Sequence, residues 1–235
     1  MQVFFAGRAP RWFLGFAAGI FVLAGLLPVL AEFIVAERNA PRPIYNGHPG
    51  KPQVALACNI FWGEEYLPAM LDTLDRSGVK ATFFIGGSWA KRHPDLVREL
   101  AVRGHELGNH SYSHPHPNTL GIAQNQEQIL RTEKLVEELT GVKTTLYAPP
   151  YGEFNTAVLA AAAGLGYKTI LWSVDTVDWK RPPAETILNR VLGKVHNGAI
   201  ILMHPTEPTV QALPELIFRL QGKGYTIKPV SDILE

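Results

Sequence analysis

Gly108-Asn109-His110-Ser111-Tyr112-Ser113-His114-Pro115-His116 sets two imidazoles, His110 and His114, four residues apart. A helical turn through the segment would put both rings on one side, within reach of one metal ion. The stretch directly follows a short apolar run, and that position organises the rest of the chain. From Val54 onward, short apolar runs alternate with longer amphipathic ones. The pattern predicts strands over 54–58, 81–85, 105–108, 144–148, 168–172, 199–203 and 225–228. It predicts helices over 66–77, 94–103, 123–140, 155–165, 184–196 and 210–222. Pro68 and Pro94 fall in first turns, where a missing N–H costs little. Gly78, Gly104, Gly141, Gly166, Gly198 and Gly224 fall between helix and strand, as C-terminal caps do. No internal repeat or low-complexity segment interrupts the pattern.

Strands alternating with helices imply parallel pairing with the helices outside the sheet. Seven such units fit either an open doubly wound sheet or a closed, irregular barrel. No G-x-G-x-x-G follows the first strand, which weighs against a dinucleotide fold. The polar clusters favour the barrel. Asn59 follows the first strand, and the His110–His114 pair follows the third. Ala148-Pro149-Pro150-Tyr151-Gly152 ends the fourth, Asp175-Thr176-Val177-Asp178-Trp179 follows the fifth, and His204 ends the sixth. In a parallel barrel all strand C-termini meet at one face, so these residues converge.

Composition bounds the partners. The 235 residues are 46% hydrophobic, ample for a sizeable core, and the formal net charge is +1. No basic stripe accompanies that charge, so nucleic acid is not an expected partner. The single cysteine, Cys58, excludes an intrachain disulfide framework and any CxxC site. It reads as a small core hydrophobe.

Trp12 to Ala31 carries no charged residue, a run of the length that spans a bilayer as a helix. Arg8 and Arg11 precede it, and Glu32 and Glu37 follow it. The positive-inside rule then keeps the N-terminus in the cytoplasm and sends the rest outward. Val29-Leu30-Ala31 also resembles a cleavage site, which would make the run a signal peptide and the protein secreted. Residues 1–38 are therefore read as a cytoplasmic stub with an anchor or signal segment. Residues 39–52, rich in Pro, Gly and Asn, read as a linker, and 53–235 as the folded domain. Oligomeric state is not readable.

The ordered set H-S-Y-S-H, A-P-P-Y-G, D-T-V-D-W and L-M-H resembles the polysaccharide deacetylase (NodB homology, carbohydrate esterase 4) family, from about Val54 to Glu235. The resemblance implies an irregular (β/α)7 barrel of the NodB-homology type. It implies metal-dependent removal of acetyl groups from cell-wall glycans such as peptidoglycan. The divalent metal, usually zinc, is held by Asp-His-His in the family. His110 and His114 match the metal histidines and His204 the general acid. Tyr151 matches the residue whose backbone N–H holds the oxyanion, and Asp175 the carboxylate that orients the acid histidine. Trp179 matches an aromatic of the groove, which Trp62, Tyr112, Tyr151 and Pro150 would help to line.

Three departures accompany the match. Asn59 stands where the base Asp belongs, Ile60 where the metal Asp belongs, and Ala148 where an Arg pairs with that base. The changes are coherent: without the base carboxylate, a buried arginine beside it would be an unpaired charge. The pattern resembles a divergent, sporulation-associated branch of the family. An amide has no useful basicity, so Asn59 could orient a water but not deprotonate it. Two histidines alone would hold zinc weakly, and His116, Glu64 or Glu65 would have to supply a further ligand. Two functions follow: a deacetylase of reduced activity, or a non-catalytic binder of glycan or of a partner protein.

Overall fold

The computed structural model of the protein describes residues 41–235. The expected anchor or signal segment over 1–38 lies outside the described residues. Among the described residues no helix is long and apolar enough to cross a membrane.

Eight short strands form the sheet: β1 (Gln53–Ile60), β2 (Thr82–Ile85), β3 (Glu106–Asn109), β4 (Leu146–Tyr147), β5 (Lys168–Thr169), β6 (Val174–Asp175), β7 (Ile200–Met203) and β8 (Thr226–Ile227). Eight helices accompany them: α1 (Leu67–Arg76), α2 (Gly87–Arg92), α3 (Pro94–Val102), α4 (Ile122–Thr140), α5 (Thr156–Gly164), α6 (Ala184–Leu192), α7 (Glu207–Gly222) and α8 (Val230–Ile233). The strand order is β5-β4-β3-β2-β1-β7-β6, with β8 added at the start of β1, and every ladder is parallel. The result is a half-barrel of parallel strands with helices outside.

β1 shows why. Seven of its eight residues are buried, as in a strand covered on both faces. Val54, Leu56, Cys58 and Ile60 face the outer core, against α1, α7 and Trp89. Ala55 and Ala57 face inward, where Phe84, Leu146, Ile170 and Ile200 fill the interior and Val230 and Ile233 of α8 close its floor. The small alanines leave room for Phe84. Period two then carries Asn59 to the inward face at the open end. The register sets Asn59 opposite Phe84 and Ile85 opposite Asn109, so the strand ends are level.

Two sequence expectations change. The run 168–172 is not one strand. β5 pairs with β4, and β6 pairs with β7 at the opposite edge, so residues 170–173 cross the gap between the edges. The linker reading of 39–52 also fails over residues 44–48. Ile44 N–H donates to Thr169 O at 2.8 Å, and Leu171 N–H donates to Ile44 O at 2.7 Å. Gly47 N–H donates to Gly198 O at 2.7 Å, and His48 N–H to Ile233 O at 2.8 Å. This strap joins the β5 edge of the sheet to the start of β7 and to the floor, and the compact unit runs from Arg42 to Glu235. A Pro/Gly-rich composition does not distinguish a free linker from a strap whose N–H and C=O groups find partners in the domain.

Candidate functional site

The turn that carries the two histidines is not helical. Ser111 and His114 both take positive φ, 62° and 56°. Neighbours hold this unusual path. Asn109 Oδ1 accepts from Ser111 N–H at 3.0 Å, while its Nδ2 donates to Ile129 O at 2.8 Å. Gln128 Oε1 accepts from the N–H groups of Tyr112 and Ser113 at 3.1 and 2.8 Å. Gly87 and Ser88 donate their N–H groups to the carbonyls of Ser111 and Tyr112 at 2.9 and 2.7 Å. Those two donors open α2, a helix absent from the sequence expectation, so the loop satisfies orphan N–H groups of the helix start. The outcome is the expected juxtaposition by a different route: the His110 and His114 rings lie 4.9 Å apart, edge to face.

His110 is buried, and its Nδ1 lies 2.7 Å from Ala148 O. A carbonyl cannot donate, so Nδ1 carries the proton and Nε2 offers its lone pair. Burial, then the neighbouring His114, pushes the His110 pKa down to about 3. Burial also lowers His114 to about 4. The His114 ring packs between Phe61, at 4.8 Å, and Tyr151, at 4.6 Å. Tyr151 itself sits at φ 59° and stacks on His116 at 4.2 Å, while His116 Nδ1 meets Glu153 Oε1 at 3.0 Å.

On the opposite wall, Asp178 and not Asp175 holds His204. Asp178 is fully buried. Its Oδ1 lies 2.8 Å from His204 Nδ1, and its Oδ2 accepts from His204 N–H and from the Thr209 hydroxyl, both at 2.6 Å. Asp175 instead accepts Val177 N–H at 2.8 Å with Oδ1. That bond turns the chain through Val177, at φ 53°, and brings Asp178 under His204. Trp62 covers the His204 ring in parallel, 9° from coplanar at 5.8 Å.

These walls enclose a cavity of about 430 Å³. Of the expected residues, Asn59, Trp62, His110, His114, Tyr151, Asp175, Trp179 and His204 line it. Tyr112 does not. It turns towards α4, where the Arg131 guanidinium lies 3.8 Å over its ring. Pro150 is buried packing and does not line the cavity either. Phe61, Gly152, Trp172 and Leu202 line it without having been expected. Trp172 and Leu202 could have been found from period two, since they continue the inward rows of Ile170 and Ile200. Phe61 lies beyond its strand, where periodicity gives no guide.

The donor set does not fit a tight catalytic zinc. Ile60, the position matched to the metal carboxylate, faces the outer core. Glu64 Oε2 is 3.3 Å from Trp89 Nε1, and neither it, Glu65 nor His116 lines the cavity. Among the described residues no three His, Cys, Asp or Glu side chains gather as a metal site. Two imidazoles and the Asn59 amide fall short of the three strong protein ligands that catalytic zinc takes. Asn59 is 6% exposed, and its Oδ1 is buried without a hydrogen-bond partner.

The chain is similar to known proteins over most of the described residues. The polysaccharide deacetylase family profile matches residues 46–170. The uncharacterized protein YlxY of Bacillus subtilis is 45% identical over 195 residues, covering 83% of this chain. The matched region spans 61% of that relative's length. A peptidoglycan-N-acetylglucosamine deacetylase of Bacillus cereus is 38% identical, over 77% of this chain and 67% of the relative. Among solved structures, a wild-type CE4 family pseudoenzyme from Bacillus anthracis superposes with a TM-score of 0.82 at 42% identity, over 85% of this chain and 71% of that one. A mutant of that pseudoenzyme with restored enzymatic activity superposes equally well. The profile match, the identities and the shared architecture together establish that this chain belongs to the polysaccharide deacetylase family.

Proposed function

We propose that this chain binds cell-wall amino-sugar glycan at the outer face of the membrane and leaves its acetyl groups in place. The reading treats the domain as an irregular (β/α)7 barrel of the NodB-homology type. Residues 12–31 hold it to the membrane or direct its export. One observation carries the functional part: Asn59 occupies the inward position at the end of β1, beside His110 and His114. An amide there cannot take a proton from water, and loss of a general base costs on the order of 10²–10⁴ in rate. With no third strong ligand for a metal either, nothing at this corner generates the nucleophile. Peptidoglycan is the substrate named for relatives, which supports a cell-wall glycan as ligand. Trp62, Trp172 and Trp179 supply the apolar faces on which sugar rings pack.

Slow hydrolysis is the second reading, favoured by the intact His204–Asp178 pair, which is suited to protonating a leaving amine. Acetate release from acetylated peptidoglycan, with zinc, nickel or cobalt added, separates the two. Binding without turnover predicts sedimentation with peptidoglycan and acetate release equal to that of His204→Ala. Release above the His204→Ala level would overturn it in favour of the hydrolase.

A further inference from the structure

One wall of the cavity is an unusual turn. Tyr151 lies at φ 59° and Gly152 follows at φ 67°, and a non-glycine residue rarely adopts the first. Backbone outliers of this kind gather at sites whose surroundings impose them. Trp172 fills the place that a Cβ on Gly152 would take, 2.5 Å from it. The Tyr151 ring meets His114 edge to face at 4.6 Å and stacks on His116, 10° from parallel at 4.2 Å. Glu153, two residues past Tyr151, accepts from His116 Nδ1 at 3.0 Å. His116 thus grips the turn twice, through the ring and through the carboxylate. Its own loop is pinned. Buried Asn125 donates Nδ2 to the carbonyls of Pro117 and Leu120 at 3.1 and 3.2 Å, and the Thr119 hydroxyl donates to His116 O at 2.7 Å.

The turn leaves one backbone donor over. Gly152 and Glu153 donate to Pro149 O and Pro150 O at 3.0 and 3.1 Å, and the two prolines have no N–H. Tyr151 N–H has no backbone partner among the described residues, and Tyr151 lines the cavity. The family resemblance matches that N–H to an acetyl oxygen but gives His116 and Glu153 no part in the contact. We propose that His116 and Glu153 are positioning residues for glycan binding: they clasp Tyr151 in its left-handed turn, so that its N–H is presented to a carbonyl of the bound glycan. Neither side chain lines the cavity, so both act through Tyr151 and not by touching the ligand. This rests on the glycan-binding reading above and names two residues outside the cavity that set its affinity.

Calorimetric titration of the full chain in detergent with N-acetylglucosamine tetramer, at pH 7 with chelator present, tests the proposal. His116→Ala is expected to weaken binding about fivefold, the weight of one hydrogen bond. Its melting temperature should stay within about 2 °C of wild type, because the His116 side chain is exposed. Glu153→Ala weakens binding to the same extent, and the double variant no further, since both side chains act through one turn. Glu153→Gln, whose amide can pair with the imidazole in either tautomer, binds within about twofold of wild type. Unchanged affinity in His116→Ala overturns the proposal. So does a multiplied loss in the double variant, because each side chain would then act on the glycan by itself. A loss in Glu153→Gln equal to that in Glu153→Ala also overturns it, because the glycan would then be reading the charge. Failure of the wild type to bind the tetramer removes the glycan-binding reading and this inference together.

Discussion

Asp178 carries three hydrogen bonds from complete burial, two from His204 and one from Thr209. Asp175, three residues earlier, carries one, from its own turn. Truncating a buried carboxylate strands its donors, and bonds to charged groups are worth about 1.5–3 kcal/mol each. Asp178→Ala is therefore expected to lower stability by about 3 kcal/mol, seen as a fall in melting temperature of roughly 6–12 °C. Asp175→Asn should change it by under about 1 kcal/mol. The imidazole resonances of His204 report the same contrast: they shift in Asp178→Asn and stay in place in Asp175→Asn. The motif D-T-V-D-W contains both carboxylates, and spacing cannot say which one reaches the histidine. Val177 at positive φ decides it, and a β-branched residue gives no sequence signal for that conformation. By contrast, Asn59, His110 and His204 were readable because each ends an apolar strand, where alternation fixes the face.

At the scale of elements, the site is a set of loops held against one another. The loop after β1 meets the loop after β7 at Gly63, which sits at φ 84°. A Cβ there would lie 2.1 Å from Pro205 O, so the His204 loop could not keep its place. Gly78, at φ 63°, has nothing within 4 Å of the same construction. Both glycines resist alanine through the left-handed backbone, at about 1 kcal/mol. Only Gly63 adds a collision, for which overpacking suggests about 1–3 kcal/mol more. Gly78→Ala should thus cost about 1 kcal/mol in chemical denaturation and leave glycan binding unchanged. Gly63→Ala should cost at least about 2 kcal/mol and weaken binding. Equal costs would mean that the close approach of the two loops is not maintained. The approach of Pro205 to Gly63, far along the chain, has no local signature in the sequence. The same holds for α2, whose first donors bind the histidine loop, and for the β5–β6 division, which Ile44 and the two sheet edges impose.

For the molecule as a whole, parallel strands gather the chemistry at one end and leave the other end to stability. His105 belongs to that second end. It is 6% exposed, its Nδ1 accepts from Ala81 N–H at 3.3 Å, and its Nε2 is buried without a partner. Burial, followed by the nearby Lys80, lowers its pKa to about 4. An unfolded histidine titrates near 6.5, so the unfolded chain takes up this proton at a higher pH than the folded one. The stabilisation from a neutral His105 is present in full above about pH 6.5 and is lost as pH falls towards 4. That loss should be on the order of 1 kcal/mol between pH 7 and pH 5. Buried His110 and half-buried His114 titrate in the same direction, so the wild type should lose more than His105 alone contributes. His105→Gln keeps an acceptor for Ala81 N–H and removes the titration. Urea midpoints measured at pH 7 and pH 5, with chelator present, should therefore converge more closely in His105→Gln than in the wild type. Identical pH dependence in the two proteins would mean that the imidazole at 105 is protonated as readily in the fold as out of it.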